Sequence, residues 1–560
     1  MYMRKVLLLA ALFVANLVQA IPAKPIWKTF VQKDGSSLRV KLMGDEHSHY
    51  WLTEDNVPMV EKDGQLVATS VSMVKSKMVS RASSNVLGVP KTYVGEKKGL
   101  IILVDFPDRK FNEDKPQQTW DDIANKVGYN ENDHIGSVHD YFYDQSYGKF
   151  NLTFDVVGPI RMKHYLAYYG SDNGNQNDVR VGEMIKEACE GANAYVDYND
   201  YDWDGDGEVD QVFVLYAGYG QATAGNSELV WPHEYQLSYT CVGNSLNLDG
   251  CVVNKYACSN ELFEYSYTKN GNTRYKDVNM GIGVICHEFS HCLGLPDYYD
   301  TQYTGNIGMG SWDLLASGCY NGKKGIGEVP AGYTSYERNF AGWLDLIPLD
   351  RENVSVTNMK PLTREGATAY SIVNPAHRDE FYILENRAIE SWDKYIGINN
   401  RRKYLASGGM LVLHVDYDAS IWANNVINVG SVEHMTMLHA SGEGLVDESR
   451  DAFPLGSKNT ISDTTTPSFT LNNRNYDGSY VLHSQVKNIS VGDNNIISFD
   501  YVPDPFRATT SITMQSVLPD LTVEAVYNLQ GVKLQSDWEK LPTGIYLVRY
   551  SDGTVRKVTR

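Results

Sequence analysis

After its first twenty residues the chain has no apolar run of the roughly 20 residues that cross a bilayer as a helix, so no transmembrane segment is expected in the mature protein. It is also short of positive charge. Fifty Lys and Arg stand against 69 Asp and Glu, a net charge of −19, which argues against nucleic acid as a partner. Cysteine is scarce and confined: Cys189, Cys241, Cys251, Cys258, Cys286, Cys292 and Cys319 all lie in the central third, and seven is an odd number, so at least one thiol has no partner within the chain. Cys286 and Cys292, if they share a helix, stand about 9 Å apart along its axis, beyond the roughly 7 Å limit for a disulfide. There is no internal repeat. Only 21% of residues are charged while 11% are aromatic, a balance that excludes a disordered chain, and 560 residues exceed what one core organises.

What is present begins with "MYMRKVLLLAALFVANLVQA", a basic start, an apolar stretch and small residues before Ile21. This pattern predicts a secretory signal peptide over residues 1–20 and a destination outside the cell or on its surface. Residues 21–90 alternate polar and apolar between Asp-Gly turns and predict a small β-rich unit, its last part, from "SRASSNVLGVPKTYVGEKKG", reading as a linker. Over 91–348 the apolar runs "LIILVDF" and "QVFVLYAGYG" alternate with helical patterns, one of them capped by Ser137 and closed at Gly148, and together predict an α/β segment. From 349 to 503 short apolar runs separated by Gly, Asn, Asp and Pro predict a β-sandwich-like domain. A last unit, 510–560, reads as hairpins around Gly531 and Asp552-Gly553.

The stretch "CHEFSHCLGLPDYYD" carries the chemistry. On a helix through "VNMGIGVICHEFSHCLGL", His287 and His291 are four apart and share a face, so both imidazoles reach one ion. Glu288 stands beside the first, where a carboxylate can take a proton from a water during attack on a carbonyl and pass it to the leaving amine. Gly294 permits the helix to end and Pro296 prevents its continuation. Asp297 follows His291 by six residues, the spacing at which the HExxHxxGxxH pattern of metzincins places its third ligand, here an aspartate. Two imidazoles and a carboxylate leave a fourth tetrahedral position open, as in catalytic zinc sites. There is no glutamate between Cys292 and Gly327 to serve instead; Asp313 is the alternative ligand.

With "GMGSWDLLASG" after it, "GSVHDYFYDQSYGKFNLTFDVVGPI" before it and "YILENR" and "LVLHVDY" further on, this motif resembles the M6 peptidases, the immune inhibitor A-like secreted zinc metallopeptidases, over most of residues 25–500. The resemblance implies a zincin-like, metzincin-like α+β catalytic domain at 91–348, zinc on His287, His291 and Asp297, Glu288 as general base, and protein or peptide substrates. It also implies a methionine turn beneath the metal, where this chain has Leu315, with Met309 nearby. The final residues resemble sorting tails of type IX secretion, which implies secretion machinery as a partner.

Three further expectations follow. Asp202, Asp204, Asp206 and Asp210 in "DYNDYDWDGDGEVDQVF" match the first positions of a calcium loop, although Phe213 stands where an EF-hand has its glutamate; a solvated acidic turn is the other reading. Tyr320 or Tyr333 is placed to stabilise an oxyanion. The 21–90 unit, which contains no cysteine, is expected to be a propeptide that covers the cleft through Asp45, Glu46, His47, His49 or the amino group of Ile21. The rival to a zinc endopeptidase is a surface-displayed adhesion protein with a vestigial zinc site. Glu385, His414 and Asp416 read as sheet-face residues.

Overall fold

The computed structural model describes residues 19–24, 26–45, 49–62, 64–70, 90–172, 177–399, 402–403, 406–443, 448–505, 523–527, 533–534, 545–550 and 555–559. Residues 1–18, Glu46, His47 and the first part of the expected linker lie outside them. The chain forms two compact units, one ending at Val502 and one beginning at Pro503.

A two-residue strand, β1 (Gln19–Ala20), opens the first unit, and an antiparallel meander follows: β2 (Trp27–Val31), β3 (Ser37–Gly44), β4 (His49–Thr53), β5 (Pro58–Lys62) and β6 (Gln65–Ala68). Alternation sends Val40, Leu42, Trp51, Met59 and Leu66 to one face, where they are buried.

The second sheet contains β7 (Gly95–Asp105), β8 (Phe150–Arg161), β9 (Val212–Tyr219), β10 (His233–Gln236), then, after a small hairpin of β11 (Leu246–Leu248) and β12 (Cys251–Val253), β13 (Lys255–Lys269) and β14 (Asn272–Asn279). Its spatial order is β1-β10-β13-β9-β7-β8, with β14 also on β13. Strands β13, β9, β7 and β8 run parallel, whereas β10 lies antiparallel on β13 and β1 antiparallel on β10. The run "LIILV" is apolar throughout because both faces are covered: Leu100, Ile102 and Val104 join Met184 and Ile185, while Ile101 and Leu103 join Ile285 and Phe289. The linker reading fails at its end. Gly95–Gly99 already pairs with β8, and Gly99 is where the Phe154 ring lies 2.6 Å from the position a Cβ would take.

Helices α1 (Pro116–Asn125), α2 (Val138–Gln145), α3 (Val181–Ala192) and α4 (Gly283–Cys292) pack on this sheet. Ser137 caps α2 in a reciprocal pair with Asp140. Helix α4 starts later than its periodicity predicts, because Val278 and Asn279 finish β14. Its entry is tight: a Cβ on Gly283 would lie 1.9 Å from the Cys319 carbonyl oxygen.

Beyond Leu346 the chain is β-rich. Leu346–Pro348, Ala369–Val373, Glu380–Arg387, Gly409–Asp416 and Met435–Met437 make one sheet in that order, and Val354–Met359, Ile497–Val502 and Gln485–Val491 make another. Both contribute to one core through Val356, Ile372, Leu384, Val412 and Phe499. The other face of the larger sheet, with Ile383, Leu411 and Leu413, enters the core that also holds Val40, Leu103 and Phe289, so apolar packing runs uninterrupted across residues 90 and 349. The second unit is a three-stranded antiparallel sheet of Val523–Tyr527, Ile545–Tyr550 and Val555–Thr559 around Val526, Tyr546 and Val548. Its expected turns at Gly531 and Asp552-Gly553 lie outside the described residues.

Candidate metal centre

Helix α4 is buried along its length, and its histidine face is held by backbone carbonyls from outside the helix and at its end. His287 Nδ1 lies 2.8 Å from the Leu314 oxygen and His291 Nδ1 2.8 Å from the Leu295 oxygen. Each Nδ1 donates, so each Nε2 turns inward, and the two stand 3.1 Å apart. Gly294, at φ +86°, reverses the chain and brings Asp297 back over them. Asp297 Oδ1 takes no hydrogen bond and faces His287 Nε2 at 3.2 Å and His291 Nε2 at 3.6 Å. Three donors around one tetrahedral zinc, each about 2.0–2.1 Å from the ion, stand about 3.3 Å from one another. Two imine nitrogens and a buried carboxylate oxygen at these separations fit a cation and repel one another without one. Glu288 is fully buried, with a carboxylate oxygen within 4.8 Å of both histidine nitrogens. Burial works against charge on His287, but Asp297, Cys319 and Glu288 outweigh it and raise its pKa well above the imidazole range; burial lowers His291 to about 4. A proton on His287 takes the place of the cation that the cluster fits.

The comparison with known families shows what this segment is similar to. Residues 89–344 match the immune inhibitor A peptidase M6 catalytic domain. That segment is what the chain shares with the M6 peptidases. The pre-pro-metalloprotease PrtV of Vibrio cholerae serotype O1 is 27% identical over 288 residues, which are 44% of this chain and 30% of that protein. Immune inhibitor A of Bacillus thuringiensis subsp. alesti is 24% identical over 310 residues, 47% of this chain and 44% of that protein. The chain thus covers less than half the length of either relative.

Around this centre the expected residues and their alternatives have different partners. Asp313 is turned elsewhere: its Oδ1 accepts from the Leu315 amide at 2.7 Å and its carbonyl from the Gly318 amide at 3.0 Å, so it braces the turn that presents the Leu314 carbonyl. Leu315 and Met309 are both buried in the surrounding core. Tyr333 is bonded to Ser290, whereas the Tyr320 hydroxyl lies in the cleft. Asn425, from the β-rich region, was not legible in the sequence. Its Nδ2 donates to Asp297 Oδ2 at 2.7 Å and its Oδ1 accepts from the Asp297 amide at 2.7 Å, which fixes the carboxylate with the other oxygen facing the histidines. All seven cysteines are free. Glu385 binds Ser335 and Arg387, His414 binds Glu380, and Asp416 binds Asn472 and Asn473, all away from the centre.

A segment of the same chain crosses the cleft. Gln19 and Ala20 pair with Glu234 and His233 on the edge strand β10, and the Ile21 nitrogen donates to Glu288 Oε1 at 3.2 Å. Ile21 is fully buried, and its carbonyl accepts from Trp231 Nε1 at 3.0 Å; the Pro22 carbonyl accepts from the Tyr320 hydroxyl at 3.0 Å. Neither Asp45 nor His49 makes the contact with the centre that Ile21 makes. His49 stacks on Trp231 with ring centroids 5.0 Å apart and meets Gln221 at 3.1 Å.

The acidic loop brings together Asp202, Asp204 and Asp210, whose carboxylates have oxygens within 4.8 Å of one another. Asp206, the fourth expected residue, is not in this group; its Oδ1 accepts from the Glu208 amide at 2.9 Å. Asp202 accepts from the Gly205, Asp206 and Gly207 amides, and Lys91 lies 2.9 Å from Asp204.

Proposed function

We propose that this chain is a secreted zinc-dependent endopeptidase with His287, His291 and Asp297 as ligands and Glu288 as general base. One observation carries the reading: two imidazole Nε2 atoms and a carboxylate oxygen converge within 3.6 Å of one another beside a buried glutamate. Zinc bound there supplies a Lewis acid that polarises the scissile carbonyl and acidifies water. Glu288 takes the proton of the attacking water and delivers it to the leaving nitrogen, a position marked by the Ile21 nitrogen at 3.2 Å. Strand β10 offers its free edge to a substrate backbone, as it does to Gln19 and Ala20. Tyr320, whose hydroxyl donates to the Pro22 carbonyl two residues beyond the scissile one, is the oxyanion donor of this reading.

The same geometry supports latency. In a chain cleaved after Ala20, the nitrogen facing Glu288 is the terminal amine of Ile21, and residues 21–70 lie over the cleft as an intramolecular inhibitor. A calcium ion at Asp202, Asp204 and Asp210 belongs to this reading as a stabilising ion, and the segment after Pro503 as an export address.

The test compares the trimmed wild-type protein with Glu288→Gln for bound zinc and for hydrolysis of an unstructured protein. The variant keeps its zinc, because all three ligands remain, and loses about 10²–10⁴-fold in turnover. Undiminished hydrolysis refutes the mechanism; no hydrolysis by the wild type leaves the vestigial, adhesive reading.

A further inference from the structure

The residue that follows the crossing segment into the cleft wall is a lysine, and it is buried. Lys24 is only 5% exposed although it carries an ammonium group. Its amide donates to the Ala222 carbonyl at 3.0 Å, and its side chain enters a pocket built from the M6 segment. The Nζ donates to the Gly325 carbonyl and lies 4.3 Å from the centroid of the Phe263 ring and 5.4 Å from that of Tyr320. Glu328 is fully buried nearby, its carboxylate held by the Lys324 and Ile326 amides; burial pushes the Lys24 pKa down to about 7, and the charge of Glu328 works against that shift. A carbonyl, two aromatic faces and a buried acid are acceptors and fields for a cation, and none of them is supplied by the segment that contributes Lys24.

We infer that this pocket is a specificity subsite of the peptidase cleft, and that it takes a lysine or arginine side chain of the substrate once the N-terminal segment has left. The inference rests on the endopeptidase reading for its register. With the Ile21 nitrogen at the leaving-amine position, Lys24 is the fourth residue on the amine side of the cleaved bond, counting Ile21 as the first. Intervening main-chain contacts keep that register: Trp231 holds the Ile21 carbonyl, Tyr320 the Pro22 carbonyl and Ala222 the Lys24 amide. The segment therefore occupies the cleft as a substrate would, with its basic side chain beside the buried Glu328 carboxylate.

The test has a binding arm and a hydrolysis arm. For binding, a fluorescent peptide of residues 19–27 and its Lys24→norleucine counterpart are titrated into the trimmed, zinc-loaded Glu288→Gln protein. The lysine peptide binds about 10-fold more tightly, and the margin shrinks to about 3-fold or less when Glu328→Gln or Phe263→Leu is added. Phe263→Leu serves where loss of the Glu328 carboxylate disturbs its loop. For hydrolysis, the trimmed wild type is given peptides that differ only at the fourth amine-side residue, and kcat/KM follows Lys or Arg over norleucine by a similar factor. Equal binding of the two peptides, or a margin unaffected by both pocket variants, overturns the subsite. Binding preference without hydrolysis sustains the pocket and sinks the peptidase reading, whereas hydrolysis with no preference at this position does the reverse.

Discussion

At the scale of single residues, the centre depends on groups that carry no metal themselves. Asn425 holds both the amide and the outer carboxylate oxygen of Asp297 at 2.7 Å, so the oxygen that faces the histidines is oriented before any ion arrives. Asn425→Ala is therefore expected to weaken zinc binding about 10–100-fold while leaving all three ligands in place. Asp297→Asn is expected to cost more, because it removes the anionic ligand, and Asp313→Asn least, since Asp313 braces the turn behind Leu314. Competition with a chelator of known affinity ranks the three; a ranking led by Asp313→Asn would transfer the third ligand to it. His287, Glu288, His291 and Asp297 were legible because a helix and its reversal make sequence spacing equivalent to spatial neighbourhood. Asn425 was not, because it lies 128 residues from its partner and asparagine has no spacing rule. The contribution of Leu314 and Leu295 was hidden for a different reason: they act through backbone oxygens, which every residue possesses.

At the scale of elements, the buried strands were legible as unbroken apolar runs and α2 by its cap, whereas the start of α4 was not, since the glycines before it admit a strand end as readily as a helix turn. The crossing of β1 onto β10 was hidden too, because two residues have no periodicity. Between elements, the loop that walls the Lys24 pocket is clamped from outside: Lys323 and Lys324 both reach Asp133, at 2.8 Å for Lys323. Hydrogen bonds from Lys323 and Lys324 lower the Asp133 pKa from 3.8 to about 2. A carboxyl depressed on folding stabilises the folded state above its unfolded pKa and loses that contribution as pH falls through the folded one. Asp133→Asn is therefore expected to lower the unfolding temperature at pH 6 by the equivalent of about 0.5–1 kcal/mol for a partly exposed pair. The difference from the parent shrinks as pH falls from about 4 toward 2. Thermal unfolding in the Glu288→Gln background, where self-digestion does not intervene, checks it; no difference at either pH would assign the clamp to the Lys324 bond with the Asn132 carbonyl instead.

At the scale of the whole molecule, the two compact units divide the work. The unit from Pro503 has its own core in Val526, Tyr546 and Val548, so removing the chain after Pro505 should leave the purified protein active while altering export in the native host. The first unit contains both the His287–Glu288–His291 cluster and the segment that lies against it. Beyond the Ile21 contact, Lys28 Nζ donates to the Thr223 and Ala224 carbonyls at 2.8 Å each, the Gly44 carbonyl accepts from the Tyr303 hydroxyl at 2.6 Å, and Trp51 packs over Gly225. These contacts distribute the hold on the cleft over a whole sheet, and tethering raises the local concentration of the segment far above any released peptide. The intact chain from Ile21 onward should therefore hydrolyse a large protein substrate slowly, and cleavage within residues 71–89 should raise the rate only as the segment dissociates. Lys28→Ala leaves the centre untouched, so the trimmed variant should match trimmed wild type, while its released segment should inhibit several-fold more weakly when added back, as expected for one or two lost charge-assisted hydrogen bonds. Mass spectrometry establishes that the precursor retains Ile21, and initial rates before and after trimming read the outcome. An intact precursor as fast as the trimmed form would mean that the Ile21 nitrogen beside Glu288 does not exclude substrate, and latency would have to be abandoned even with the metal centre unchanged.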